Sequence, residues 1–232
     1  MVGSRAMAHA LRPLLNPGER ILLLAAAPLE ARAIQAGITG HPPASDPPVA
    51  WHPLTLDDTL DLVVTGVGKA NAAAACARTF DPHRHRAVVN LGVGGALPRT
   101  KVKLGEVVLA DHSSYADEGC ITPDTFLTMA RMHFGPGMGT DLAGAMGVGP
   151  EAWLHHALAP LADHVGGVTT VSTCSGRNRV SREYQQRTGA LVEAMEGAGI
   201  AFTVHRLTGG GPRAPFAELR VVSNTTGSRA RQ

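Results

Sequence analysis

The sequence predicts an α/β protein, a single three-layer αβα domain built on a central mixed, mostly parallel, twisted sheet. Three observations carry this reading. Apolar runs such as "RILLLAAAP" (20–28) and "LDLVVTGVG" (60–68) are continuous rather than alternating, as strands covered on both faces are. Each is followed by a segment of helical character, "LEARAIQAG" ended by Gly37 and the Ala-rich "KANAAAACARTF". The alternation then runs along 232 residues with no internal repeat and no linker clear enough to divide them.

The other elements follow in order. Residues 1–18 read as an N-terminal extension ahead of one domain at 19–232. Residues 39–59 carry five prolines and predict an irregular excursion at a sheet edge. "RAVVNLGVGGAL" (86–97) predicts a third strand running into a glycine turn, and "GEVVLAD" (105–111) a fourth. Residues 112–150, with glycines clustered from 135 to 149, read as a long insertion beside a cleft. "EAWLHHALAPLADH" and "SREYQQRTGA" are helix candidates, with the strand "GGVTTVSTCSG" between them. "LVEAMEGAGIAFTVHRL" passes from a short apolar entry into a helix, and "APFAELRVVSN" is the last strand.

Composition excludes several classes. Apolar residues make up 44% and charged residues 17%, and the net charge of +2 provides no basic stripe for nucleic acid. The apolar run Ile21–Pro28 is far too short to span a bilayer, and the N-terminal residues lack the apolar core of a signal peptide. A cytoplasmic protein without membrane contact is expected. The three cysteines lack metal-ligand spacing and the eleven histidines are scattered, so neither a metal nor a disulfide is expected.

Two glycine motifs follow strands, "TGVGKAN" and "NLGVGGAL". Turns of this kind can direct backbone N–H groups at an anion, but neither motif completes a dinucleotide fingerprint or a Walker A loop. No cofactor is expected. Strand ends in open α/β sheets are nonetheless where ligands sit. Glu30 lies just past the first strand. Glu196 lies in the largely apolar "EAMEGAG", where a carboxylate needs a buried partner or a ligand. Ser223 and Asn224 close the last strand; Asn before Thr-Thr-Gly is an ordinary turn former, and its match to a glycosylation acceptor fails without a secretory signal.

The order of these elements is more specific than any one of them. "GxGKxNAA", "NLGxGGAL", "VSTxSG", "VExMEGAG" and a closing "ELRxxSN" occur in series, and the series resembles the nucleoside phosphorylase and nucleosidase superfamily over residues 20–231. The resemblance implies cleavage of the N-glycosidic bond between ribose and a purine in a nucleoside substrate, by a homo-oligomer. It implies that Glu30 activates the attacking water and that Met195 and Glu196 pack under the ribose and bind its hydroxyls. Gly94 and Gly95 would lie along the base and sugar, Ser175 and Gly176 would flank the base, and Arg220 and Ser223 would support the end of the last strand. Asn224 would read the base. Related phosphorylases carry an Arg immediately before the glycine turn to hold phosphate, and here "VVN" stands there, so water is the expected acceptor. Adenine nucleosidases usually have Asp where Asn224 stands. An amide offers one donor and one acceptor, which suits hypoxanthine. Arg229 matches the family tail, although Ala230 replaces an acidic residue and the family's final helix has no counterpart. Arg229 and Arg179 lie near enough to these segments to meet an acidic group on a substrate. The alternatives are a methylthioadenosine/S-adenosylhomocysteine nucleosidase, a purine nucleoside phosphorylase, or a nucleoside-binding protein with weakened catalysis.

Overall fold

A computed structural model describes residues 3–43, 48–129, 131–133, 147–209 and 213–228. The continuous apolar runs are its central strands. The first is β1 (Arg20–Ala25), whose Ile21, Leu23 and Ala25 face one layer while Leu22 and Leu24 face the other. All five of these side chains are buried. Ahead of β1 lies α1 (Gly3–Leu11), and after it α2 (Pro28–Thr39). Further along come β2 (Leu54–Thr55), β3 (Leu60–Val64), α3 (Lys69–Thr79), β4 (His85–Ala96) and β5 (Val107–Tyr115). The hairpin β6 (Gly119–Ile121) and β7 (Phe126–Thr128) precedes β8 (Gly147–Pro150), α4 (Ala152–Leu158) and β9 (His164–Thr170). The chain closes with α5 (Asn178–Thr188), β10 (Val192–Ala194), α6 (Gly197–Leu207), β11 (Arg213–Ala214) and β12 (Phe216–Thr225). Among the described residues no helix is long and apolar enough to cross a membrane.

The sheet is mixed, as expected. β1 runs parallel to both β3 and β4. β4 also pairs in parallel with β12, which is antiparallel to β5; β5 is parallel to β9, β9 to β10, and β10 returns antiparallel to β4. These five strands therefore close a ring. They share a cluster of small side chains, among them Ala96, Val108, Ala110, Val168, Val192 and Val222. Outside the ring, α1, α2 and α4 pack one core against the sheet and α3 and α6 pack another. Residues 3–11, assigned by sequence to an extension, bury Met7, Ala8 and Leu11 in the first of these cores.

Three local expectations change. The helix after β1 passes Gly37 and ends at Thr39, because the residue in the left-handed conformation is Gly40 (φ 74). β5 continues past Asp111 to Tyr115, since Ser113 and Ser114 pair with both β8 and β9. "NLGVGGAL" is strand rather than turn: β4 runs through Gly92, Gly94 and Gly95, paired with β12 along that length. "TGVGKAN" does turn, through Gly66 (φ 84) and Gly68 (φ 96), into α3. Most of the glycine cluster at 135–149 lies outside the described residues.

At the end of the sheet where β1 and β4 begin, buried Asp61 collects Arg20 through Nε and Nη2 (2.8 Å each), the Thr55 hydroxyl (2.9 Å), Arg84 (3.0 Å) and His85 (3.2 Å). Burial pushes the Asp61 pKa up. Hydrogen bonds from Arg20, Thr55 and His85 outweigh it and leave the carboxyl below its ordinary value. A carboxylate whose pKa is depressed by folding stabilises the fold above its unfolded pKa of about 3.9, and that contribution is lost as pH falls through the folded value. Asp61→Ala should cost about 3 kcal/mol at neutral pH in chemical denaturation. It should also flatten the fall of stability below about pH 4 relative to the parent. Equal acid sensitivity in the two proteins would show that Asp61 is not a main source of it.

Candidate active site

The carboxyl ends of β1 and β4, with β10 and the bulged end of β12, enclose a cleft of about 240 Å³. It is lined by Ala26, Ala27, Glu30, Val67, Val93, Gly94, Gly95, Met195, Glu196, Ser223 and Asn224, together with Val171, Cys174, Glu193 and Ala194. Among these described residues none is Lys or Arg.

Two carboxylates are held from different directions by backbone donors. Pro28 pre-sets the first turn of α2, so that Glu30 falls in that turn. Glu30 Oε2 accepts the Ala27 N–H (2.9 Å) and Oε1 accepts the Val93 N–H of β4 (3.0 Å). Glu196 is the residue before α6 and is buried. Its Oε1 accepts the Gly68 N–H of the glycine turn (3.0 Å), and its Oε2 lies 3.3 Å from the Met195 N–H. The turn thus holds a protein carboxylate.

Arg220 lies behind these groups, fully buried. Its Nε donates to Glu218 Oε1 (2.7 Å), and Nη2 lies 3.3 Å from Glu196 Oε2 without the alignment of a hydrogen bond. Burial drives the guanidinium pKa down, and the charges of Glu218, Glu196 and Glu30 more than restore it, leaving it raised. Gly92 makes this possible. A Cβ there would stand 2.5 Å from Arg220 Nη1 and 2.8 Å from Glu30 Oε1. Gly94 is equally confined, between Val192 and the Glu193 carbonyl. These strand glycines supply room rather than backbone freedom.

The end of β12 explains how Asn224 comes to face the cleft. Val222 pairs with Gly94 and Asn224 with Gly95, so Ser223 is the extra residue of a β-bulge. The Ser223 hydroxyl donates to Asn224 Oδ1 (3.0 Å), and Asn224 Nδ2 donates to the Thr225 carbonyl (3.0 Å). Both contacts orient the amide and leave it a second N–H and a second lone pair.

Of the residues singled out in the sequence, Glu30, Gly94, Gly95, Met195, Glu196, Ser223 and Asn224 meet in the cleft. Arg220 supports it from behind. Ser175 is buried with its N–H (3.0 Å) and hydroxyl both donated to Glu193, and Gly176 is exposed outside the lining. Arg179 is exposed and pairs with Glu183 on its own helix (3.1 Å), apart from the cleft. Arg229 lies outside the described residues. Sequence reasoning passed over Glu193 and Glu218. Glu218 had a signal, since it stands two residues before Arg220 on a strand and so shares its face.

A ring-closed αβα fold with paired carboxylates at its strand ends defines a class, and the comparisons agree with it. The chain belongs to the Phosphorylase superfamily, whose family model matches residues 54–232. A futalosine hydrolase of Acidothermus cellulolyticus is 32% identical over 219 residues, covering 91% of this chain and 82% of the relative. One from Streptomyces coelicolor is 33% identical over 195 residues, covering 81% and 75%. Among solved structures, a 5'-methylthioadenosine/S-adenosylhomocysteine nucleosidase from S. pneumoniae superposes with a TM-score of 0.64 at 24% identity, covering 88% of this chain and 85% of that one.

The packing at Gly92 is testable. Gly92→Ala must displace Arg220 or Glu30, and overpacking of this kind should cost about 1–3 kcal/mol in equilibrium denaturation. A change within about 0.5 kcal/mol would mean that the guanidinium and carboxylate have slack the geometry does not suggest.

Proposed function

We propose that this enzyme hydrolyses the N-glycosidic bond of futalosine, releasing hypoxanthine and dehypoxanthine futalosine for menaquinone biosynthesis. The observation that carries the reading is the convergence of Glu30, Glu196 and Asn224 on one cleft. The two relatives named above support the substrate.

Glycosidic cleavage gives the sugar oxocarbenium character, so carboxylates near the ring lower the barrier by stabilising the developing charge. Glu196, held by the Gly68 N–H, binds the ribose hydroxyls beside Met195. Glu30 takes a proton from water as the water oxygen bonds to the anomeric carbon. The electron pair of the breaking C–N bond leaves with the purine, which gains a proton at N7 from solvent water. Asn224 cannot supply that proton; it donates an N–H to O6 and accepts from N7–H as that site becomes protonated. A cleft with no lysine or arginine among its described lining favours water over a phosphate dianion as acceptor. Leu29, Val67 and Val93 leave exposed apolar surface beside the cleft, which favours a homo-oligomer; the expected location is cytoplasmic.

The direct assay follows release of the free purine, hypoxanthine from futalosine and inosine and adenine from methylthioadenosine, with and without phosphate. Phosphate-independent release from futalosine is expected. Strict phosphate dependence would make the protein a phosphorylase, and turnover confined to methylthioadenosine would make it an adenine nucleosidase.

Glu30→Gln preserves shape and removes proton acceptance, so kcat should fall about a hundredfold or more. Near-parental turnover would remove Glu30 from the mechanism. For the base, Asn224→Asp loses the N–H directed at O6 and gains an acceptor suited to an exocyclic amine. A mismatch in a desolvated site should cost about 1–3 kcal/mol with futalosine and less with its 6-amino counterpart. The measurement is the ratio of kcat/KM values for the two substrates, and an unmoved ratio would mean that Asn224 does not read the base.

A further inference from the structure

Glu218 is wholly buried and does not line the cleft, yet it makes the shortest polar contact of Arg220. Its Oε1 accepts Arg220 Nε at 2.7 Å and its Oε2 accepts the Ser113 hydroxyl of β5. The fold keeps space for it, because a Cβ on Gly197, the first residue of α6, would collide with the Glu218 carboxylate. The other contacts of Arg220 are looser: 3.3 Å to Glu196 Oε2, and 3.4 Å from Nη1 to the Val93 carbonyl.

We propose that Glu218 is a positioning residue, which holds Arg220 by its Nε edge and keeps the guanidinium from closing onto Glu196. A free buried guanidinium beside a carboxylate favours the bidentate arrangement, with two parallel N–H donors on two oxygens. Here Nε is taken by Glu218, and Nη2 faces Glu196 unaligned. Glu196 therefore keeps acceptor capacity for a sugar, while Arg220 remains a shared counter-charge to Glu196 and Glu30. Without a fixed partner of its own, Arg220 would neutralise the carboxylate that the reaction uses. The charged groups around Arg220 are Glu218 on its own strand, Glu196 at the start of α6 and Glu30 on α2.

The test compares the parent with Glu218→Leu, which keeps a comparable volume and removes the acceptor for Nε. The kinetic arm rests on the nucleosidase reading; the structural arm does not. With futalosine, kcat should fall about ten- to a hundredfold with little change in KM. A crystal structure of the variant should show both Nη atoms of Arg220 on Glu196. Ser113→Ala, which removes only the outer support of Glu218, should lower kcat by less, again with little change in KM, and it serves if Glu218→Leu does not fold. A lowered melting temperature with kcat unchanged or with the loss falling on KM instead, or an Arg220 still held off from Glu196 in the variant, would overturn the proposal. If the parent does not turn over futalosine, the substrate assignment fails, and the position of Arg220 in the variant still decides the role of Glu218.

Discussion

A guanidinium without access to water sets the terms for the rest of this structure. Removing such a charge from solvent costs several kcal/mol even after relaxation, and the fold tolerates it only with partners of opposite sign close by. Glu218, Glu196 and Glu30 provide them from three separate elements: the last strand, the start of α6 and the first turn of α2. The glycines at 92 and 197 follow from the same requirement, since side chains there would occupy the space the charged groups need. A substitution at either glycine acts on the site as much as on the core.

The closed ring of β4, β12, β5, β9 and β10 fixes where those charges stand. β4 is its seam: one edge pairs with β12 along most of its length, while the other pairs with β1 and, further on, with β10. Because β4 lacks side chains at Gly94 and Gly95, its neighbours can close over it. Glu193 and Asn224 both register opposite Gly95, from opposite sides. The bulge at Ser223 turns the end of β12 so that the amide reaches the cleft while the strand continues to Thr225.

The same construction suits the proposed chemistry. Carboxylates whose oxygens accept backbone N–H groups are oriented before a substrate arrives, and preorganised charge is what an oxocarbenium-like transition state rewards. Glu30 bridges the helix start and β4, while Glu196 bridges the glycine turn and the start of α6. The register of the sheet sets the places of both carboxylates.

By itself the sequence determined the layer order, the strand and helix series, and the residues whose neighbours in the chain announce them: Glu30 after a strand and Pro28, Glu196 in "MEG", and Asn224 at the end of an apolar run. Those signals are local, arising from periodicity, capping and turn chemistry, and local physics survives in a one-dimensional record. Tertiary structure decided what depends on pairing across the chain. The glycines of "NLGVGGAL" read as a turn until β12 is laid beside them. Ser175 reads as a base-flanking residue until Glu193 takes both of its donors. Residues 3–11 read as an extension until Met7 and Leu11 meet α2 and α4. Glu218 looks like one more carboxylate until Arg220 and Ser113 close on it. In each case the deciding partner is far away in sequence or is assigned by strand register, and neither composition nor spacing encodes which backbone will lie alongside.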